Sequence, residues 1–179
     1  AGDAAKARII SLEGQVQVKS AGSGDWQNAA KGAWLDEGAE VSTGEFSSCL
    51  LGFGEGGSSA LTLDDSSKVA VSSLDPVKVN LESGNVIGIV KGLGAESSFE
   101  VITSTAVASV RGTKFYVSSD GTYAVLEGQL VVAYSDGASV TLNAGEQLNP
   151  DSREITEITA GLAQEIEDIA EVLSKYDIR

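Results

Sequence analysis

The stretch from Ala106 to Glu146 constrains this chain more than any other. Ala106-Val107-Ala108-Ser109-Val110-Arg111-Gly112-Thr113-Lys114-Phe115-Tyr116-Val117 leads through Asp120-Gly121 into Tyr123-Ala124-Val125-Leu126-Glu127-Gly128-Gln129-Leu130-Val131-Val132. It closes with Val140-Thr141-Leu142-Asn143-Ala144-Gly145-Glu146. β-Branched and aromatic residues recur here in short runs cut by glycine. Runs of this kind make half-buried strands with a period of two.

The same grammar extends back to the start. Ile9-Ile10-Ser11-Leu12 runs to Glu13-Gly14, and Gln15-Val16-Gln17-Val18-Lys19 alternates cleanly. Glu40-Val41-Ser42-Thr43 ends at Gly44, and residues 47–53 and 59–63 flank the hairpin signal Gly54-Glu55-Gly56-Gly57. Strands are expected at Lys68–Ser73, Val77–Leu81, Val86–Val90, Phe99–Thr103 and Ala106–Val110. Pro76 and Pro150 fall at element boundaries, where a missing N–H costs least. An acid-glycine-polar-apolar echo recurs around Gly14, Gly84 and Gly128 at unequal spacing. A strict solenoid would keep a fixed period, so the echo reads as recurring hairpins in one sheet system with a coiled winding.

After Pro150 the pattern changes. Asp151-Ser152-Arg153-Glu154 is a polar joint, and from about Ile158 to Tyr176 the apolar spacing is helical. Leu162, Ile166, Ile169, Leu173 and Tyr176 form a narrow stripe, like a coiled-coil seam. Thr159 is the expected N-cap. The chain therefore divides into a β-domain over 1–150 and a joint plus amphipathic helix over 151–179. The stripe either lies back on its own sheet or buries itself against another copy, and the second reading makes those five residues a candidate interface.

Apolar residues make up 42% of the 179, enough for a real core, and no apolar run is long enough to span a membrane as a helix. The net charge of −14 repels a phosphate backbone, which argues against nucleic acid as a partner. Cys49 is the single cysteine, read as a buried structural thiol. Histidine is missing, which removes the commonest general base and transition-metal ligand. The chain begins Ala1-Gly2 and contains no methionine, which suits a product released from a signal peptide.

The run Val110-Arg111-Gly112-Thr113 with Phe115 and Val117, then Glu127-Gly128 and Ala144-Gly145-Glu146, resembles the FecR-type domain. An earlier block of Gly14 to Val18, Trp26, Ala30, Gly32, Leu35, Gly38, Val41, Thr43 and Gly44 is similar to that family's opening. The resemblance spans roughly residues 9–148. It implies an all-β multi-stranded sheet or β-roll, to which this chain adds one C-terminal α-helix. It also implies an exported protein, periplasmic or at the cell surface. In the best-known members an anti-sigma segment and a membrane helix precede such a domain, and neither is seen in this chain.

Arg111, Gly112 and Thr113 read as a structural motif. Gly112 marks a bulge or close backbone approach, and is expected to be crowded or at positive φ. Arg111 supplies a fork of donors for an internal clamp. Asp64-Asp65-Ser66-Ser67 and Ser118-Ser119-Asp120-Gly121 offer oxygen ligands without the spacing of a calcium loop, so they read as turns and no metal is expected. Gly52 to Gly57 lacks the lysine and the following helix of a phosphate loop. No cofactor and no catalytic set is expected. The function expected is a non-catalytic, self-associating envelope or extracellular subunit of a fibre or sheath, a homo-oligomer that also has room for another envelope protein. The alternatives are a periplasmic sensor or regulatory protein-binding module, and a carbohydrate or surface binder built on Trp26 and Trp34.

Overall fold

Period-two alternation becomes strands along nearly the whole chain in the computed structural model, which describes residues 7–53, 59–74, 76–90 and 99–174. In chain order the strands are β1 (Ala7–Glu13), β2 (Val16–Lys19), β3 (Gln27–Asn28), β4 (Trp34–Leu35), β5 (Glu40–Thr43), β6 (Ser48–Phe53), β7 (Ser59–Leu63) and β8 (Lys68–Leu74). They continue as β9 (Val77–Ser83), β10 (Asn85–Val90), β11 (Phe99–Ile102), β12 (Ala106–Ser118), β13 (Tyr123–Tyr134), β14 (Ser139–Asn143), β15 (Glu146–Leu148) and β16 (Ile155–Glu157). One helix, α1 (Ala160–Ser174), follows. The expected glycine turn at 54–57 lies outside the described residues.

All the strands join one hydrogen-bonded sheet, which folds over into two layers. The first layer runs β3-β2-β5-β8-β9-β11, then the first half of β12, the second half of β13, and β14. The second runs β4-β1-β6-β7-β10, then the second half of β12, the first half of β13, β15 and β16. Chain neighbours face each other across the fold: β1 turns into β2, β5 into β6, β7 into β8, β9 into β10 and β14 into β15. The long strands β12 and β13 belong to both layers. The result is the rolled, coiled winding that the glycine echo suggests.

The space between the layers holds the core. Phe53 of the second layer meets Phe99 of the first edge-on, with ring centroids 5.5 Å apart, and Phe115 lies 6.4 Å beyond. Val41, Val69, Val71, Val79 and Val101 face Ile9, Leu51, Leu61, Val86 and Val117, all fully buried. Each such side chain contributes about 1.5–3 kcal/mol on leaving water.

Staying in the core while changing layers requires a strand to change parity. In β12 the inward residues are Ala106, Ala108 and Val110 before Gly112, but Thr113, Phe115 and Val117 after it. In β13 they are Tyr123 and Val125, then Leu130 and Val132. Register shifts between Arg111 and Lys114 and between Lys114 and Phe115 supply the change. An extra residue in one strand reverses which face every later side chain takes.

Helix α1 lies on the outer face of the second layer. Ile166 is fully buried there with Ile87 and Ala124, and Leu162, Ile169, Ile158, Tyr116 and Leu126 close around them. Ile169 also reaches Ile10, Leu50, Ala60 and Ile89. Three of the five stripe residues, Leu162, Ile166 and Ile169, are therefore occupied by the chain's own sheet rather than offered to another copy. The outward side chains of β10 and β13 are apolar, which gave the helix a surface to cover. The Leu173 side chain and Tyr176 lie outside the described residues. The segment after Pro150 also supplies β16, paired to β15, where the polar joint and helix alone were expected.

Candidate interaction surface

Three corners along one seam position the rest of the molecule, and each is built on a residue of the glycine echo. Gly14 packs against Ser47, whose hydroxyl accepts from the Gln15 N–H at 2.8 Å. Gly84 packs against Ser67, whose hydroxyl accepts from the Asn85 N–H at 3.0 Å. Gly128 packs against the backbone of Gly112 and Thr113, and the Thr113 hydroxyl donates to the Gln129 carbonyl at 2.8 Å. Gly112 itself sits at φ +57° with open space where a side chain would go. Of the two reasons expected for a glycine there, the structure shows positive φ and not crowding; the crowded partner is Gly128. The Arg111 side chain lies outside the described side chains.

The corners leave two unlike outer faces. The second layer's face is covered by α1. The first layer's face has no helix over it among the described residues. Its side chains form rows across the strands: Asn80, Ile102, Val107, Ala133 and Ser139 in one, Lys78, Glu100, Ser109, Val131 and Thr141 in the next. Charge is concentrated at the β2–β5–β8–β9 side. There Lys19 meets Glu40 at 2.7 Å, Lys68 meets Glu82 at 3.1 Å, and Lys78 lies 3.8 Å from Glu100. Toward β14 the strand positions are uncharged, with Val131 37% exposed, and charge returns only in the β13–β14 turn, where Asp136 meets Arg153 at 2.8 Å.

Trp26 belongs to the charged side. Lys19 and Lys68 lie over its ring at 5.4 and 5.2 Å. Trp34, on β4 of the other layer, is 62% exposed with Arg8 at 5.5 Å. Neither anchors the core, and they do not assemble the two-ring platform that a sugar would need. Burial stiffens the chemistry elsewhere. Cys49 is buried and its thiol is pushed up to about 12 by loss of solvation, so no thiolate nucleophile forms near neutrality.

The acidic turns use their oxygens internally. Asp64 accepts from the Asp65 N–H at 2.9 Å and from the Asn85 side-chain amide at 2.9 Å. Asp120 accepts from the Thr122 N–H at 2.8 Å. Partial burial against the sheet, then the neighbouring Asp64 carboxylate, raises the Glu165 carboxyl above the ordinary range. No cluster of three metal-ligating side chains occurs among the described residues.

The FecR protein family matches residues 39–131, just over half of the chain and the part that contains the Gly112 corner. The chain belongs to the FecR family. Two crystal structures of a protein described as a "putative anti-sigma factor" from Parabacteroides distasonis ATCC 8503 share the fold. The first is 19% identical with a TM-score of 0.55, and the second is 20% identical with a TM-score of 0.54. Each likeness covers 67% of this chain and 59% of the other, so the chain spans about three-fifths of those proteins' length. No curated protein matches the chain.

Proposed function

We propose that the chain is an extracytoplasmic, non-catalytic module that binds another protein through the outer face of its first layer, as a regulatory FecR-type domain. The observation that carries this reading is the difference between the two faces. One is covered across its middle by α1 with Ile166 at its centre, leaving Trp34 open at the β4 end, and the other presents Val107, Val131 and Ala133 beside a charged field with no helix over it among the described residues. An exposed apolar strip rimmed by ion pairs suits a protein contact. Family membership supports a place outside the cytoplasm, and the neighbours described as anti-sigma factors support a regulatory role over a building one.

The fibre or sheath reading drew in part on a partner-facing helix, and Leu162, Ile166 and Ile169 of that stripe lie on the chain's own sheet. The test is sedimentation of the purified chain. A regulatory module runs as an 18.3 kDa monomer over the micromolar range. A regular high-mass assembly that dissolves on mutation of the first-layer face overturns the reading in favour of a structural subunit.

A further inference from the structure

Every sheet that does not close must manage its edges. Among the described residues the roll has four ends, and three are guarded. β3 and β4 are two residues each, and β16 is three residues carrying Glu157 beside Arg153 and Glu154. Short length and charge are the ordinary protections of an exposed edge. β14 is longer and has no charge within it: Ser139-Val140-Thr141-Leu142-Asn143 is five residues with no proline and no bulge, it pairs with β13 alone among the described residues, and charges stand only at its two ends, the Arg153–Asp136 pair before it and Glu146 after it.

The direction of its backbone groups follows from its hydrogen bonds. The Tyr134 N–H donates to the Ala138 carbonyl at 2.8 Å, which turns the even-numbered residues toward β13. The odd-numbered residues therefore turn outward. Asn143 agrees: its N–H donates not to β13 but to the Glu146 carboxylate at 2.6 Å. Ser139 and Thr141 turn their N–H and C=O groups away from β13, to a side where no strand pairs with them among the described residues. Their exposed side chains lie on the same outer face as Val131 and Ala133.

Charge selects what would fit. Glu146 and Glu157 stand directly opposite each other across β15 and β16, at the Asn143 end of the strand. Like charges so placed are unfavourable together, and a cation there would relieve them. A second copy would bring another −14 to the same place. We infer that β14 is a docking edge for an extended segment of a different protein, uncharged where it pairs with Ser139 and Thr141 and basic where it passes Glu146 and Glu157. This rests on the protein-binding reading above and names the part of that face which does the binding. The mode is strand addition, in which backbone bonds give affinity and flanking side chains give selectivity.

The probe is a capped peptide of five alternating threonine and valine residues followed by two lysines, with a control ending in two glutamates. Amide exchange of the full chain is followed by NMR. The lysine peptide slows exchange at Ser139 and Thr141 by about tenfold, as newly paired strand amides do, and the glutamate peptide does not. Thr141→Pro abolishes the effect; its N–H faces outward, so the bonds to β13 survive. Thr141→Lys, which keeps every backbone group, weakens it through edge charge. No protection at either amide, or equal protection by both peptides, overturns the inference, as does a dimer in the wild type that Thr141→Pro dissolves. In its host, a photo-crosslinker at Val131 separates strand addition from protein binding by the face as a whole. An adduct with another protein that persists in Thr141→Pro ends strand addition but keeps protein binding, and no adduct in the wild type ends both.

Discussion

A side chain on Gly128 would collide with the carbonyl oxygen of Gly112 and lie 2.9 Å from the Cα of Thr113. Both glycines are at positive φ, +87° and +57°. They face each other across β12 and β13 where those strands pass from one layer to the other. The motif that marks this family in the sequence is thus the corner that lets two long strands serve both layers.

The two glycines are expected to differ under substitution. Gly112→Ala meets open space and bears only the left-handed backbone cost, about 1–2 kcal/mol. Gly128→Ala adds a clash with backbone that cannot rotate away, and should cost at least about 3 kcal/mol. Denaturant unfolding of both variants checks this; equal losses would show that close approach is not the constraint.

Ile166→Ala should destabilise the chain by about 2–4 kcal/mol, as removal of a fully buried aliphatic side chain does. Glu167→Ala, on the exposed side of α1, should change stability by no more than about 0.5 kcal/mol. Truncation after Pro150 should expose Ile87 and Ala124 and lower stability and solubility together. Comparison of melting and aggregation onset in the three variants checks the account of α1.

Glu165 provides a pH test. Its carboxyl titrates above the ordinary range when folded, so the stabilisation it gives is present at low pH and lost as pH rises through the raised value. The Asp64 carboxylate adds to that raise, and an amide at position 165 is free of its repulsion. Glu165→Gln should therefore raise the melting temperature at pH 7 and leave it nearly unchanged at pH 4. Glu165 is largely exposed, so the gain should stay below about 1 kcal/mol.

Cys49 should resist alkylation in the folded chain at pH 8 and react at once in denaturant, because its thiol is buried and pushed up to about 12. Mass spectrometry of iodoacetamide-treated protein reads this directly.

Strand positions, the single helix and the family were legible because each rests on a local pattern: alternation, a stripe at helical spacing, and Val110 to Val117 with its glycines. The layer change was not, since a parity switch is set by pairing across β12 and β13 rather than by either strand. Gly112 announced itself, but the crowded residue was its partner Gly128, sixteen positions on. The sequence left the α1 stripe two places to go, its own sheet or another copy, because Ile87, Ala124 and Ile89 lie in strands whose inner faces are equally apolar. Only the folded sheet shows that their outer faces need a cover. β3, β4 and β16 escaped notice because runs of two or three residues are too short to show a period. The edge at β14 became visible only once the direction of Asn143 was known.

A crosslinking scan in the native host tests most directly whether the first-layer face, which no helix covers among the described residues, is the binding face. A photo-reactive residue would replace Val131 on that face, and Asp168 on the exposed side of α1, in separate variants. The account predicts a discrete adduct with another protein from Val131 and none from Asp168. Adducts from Asp168 alone, or Val131 adducts made only with further copies of this chain, would contradict it.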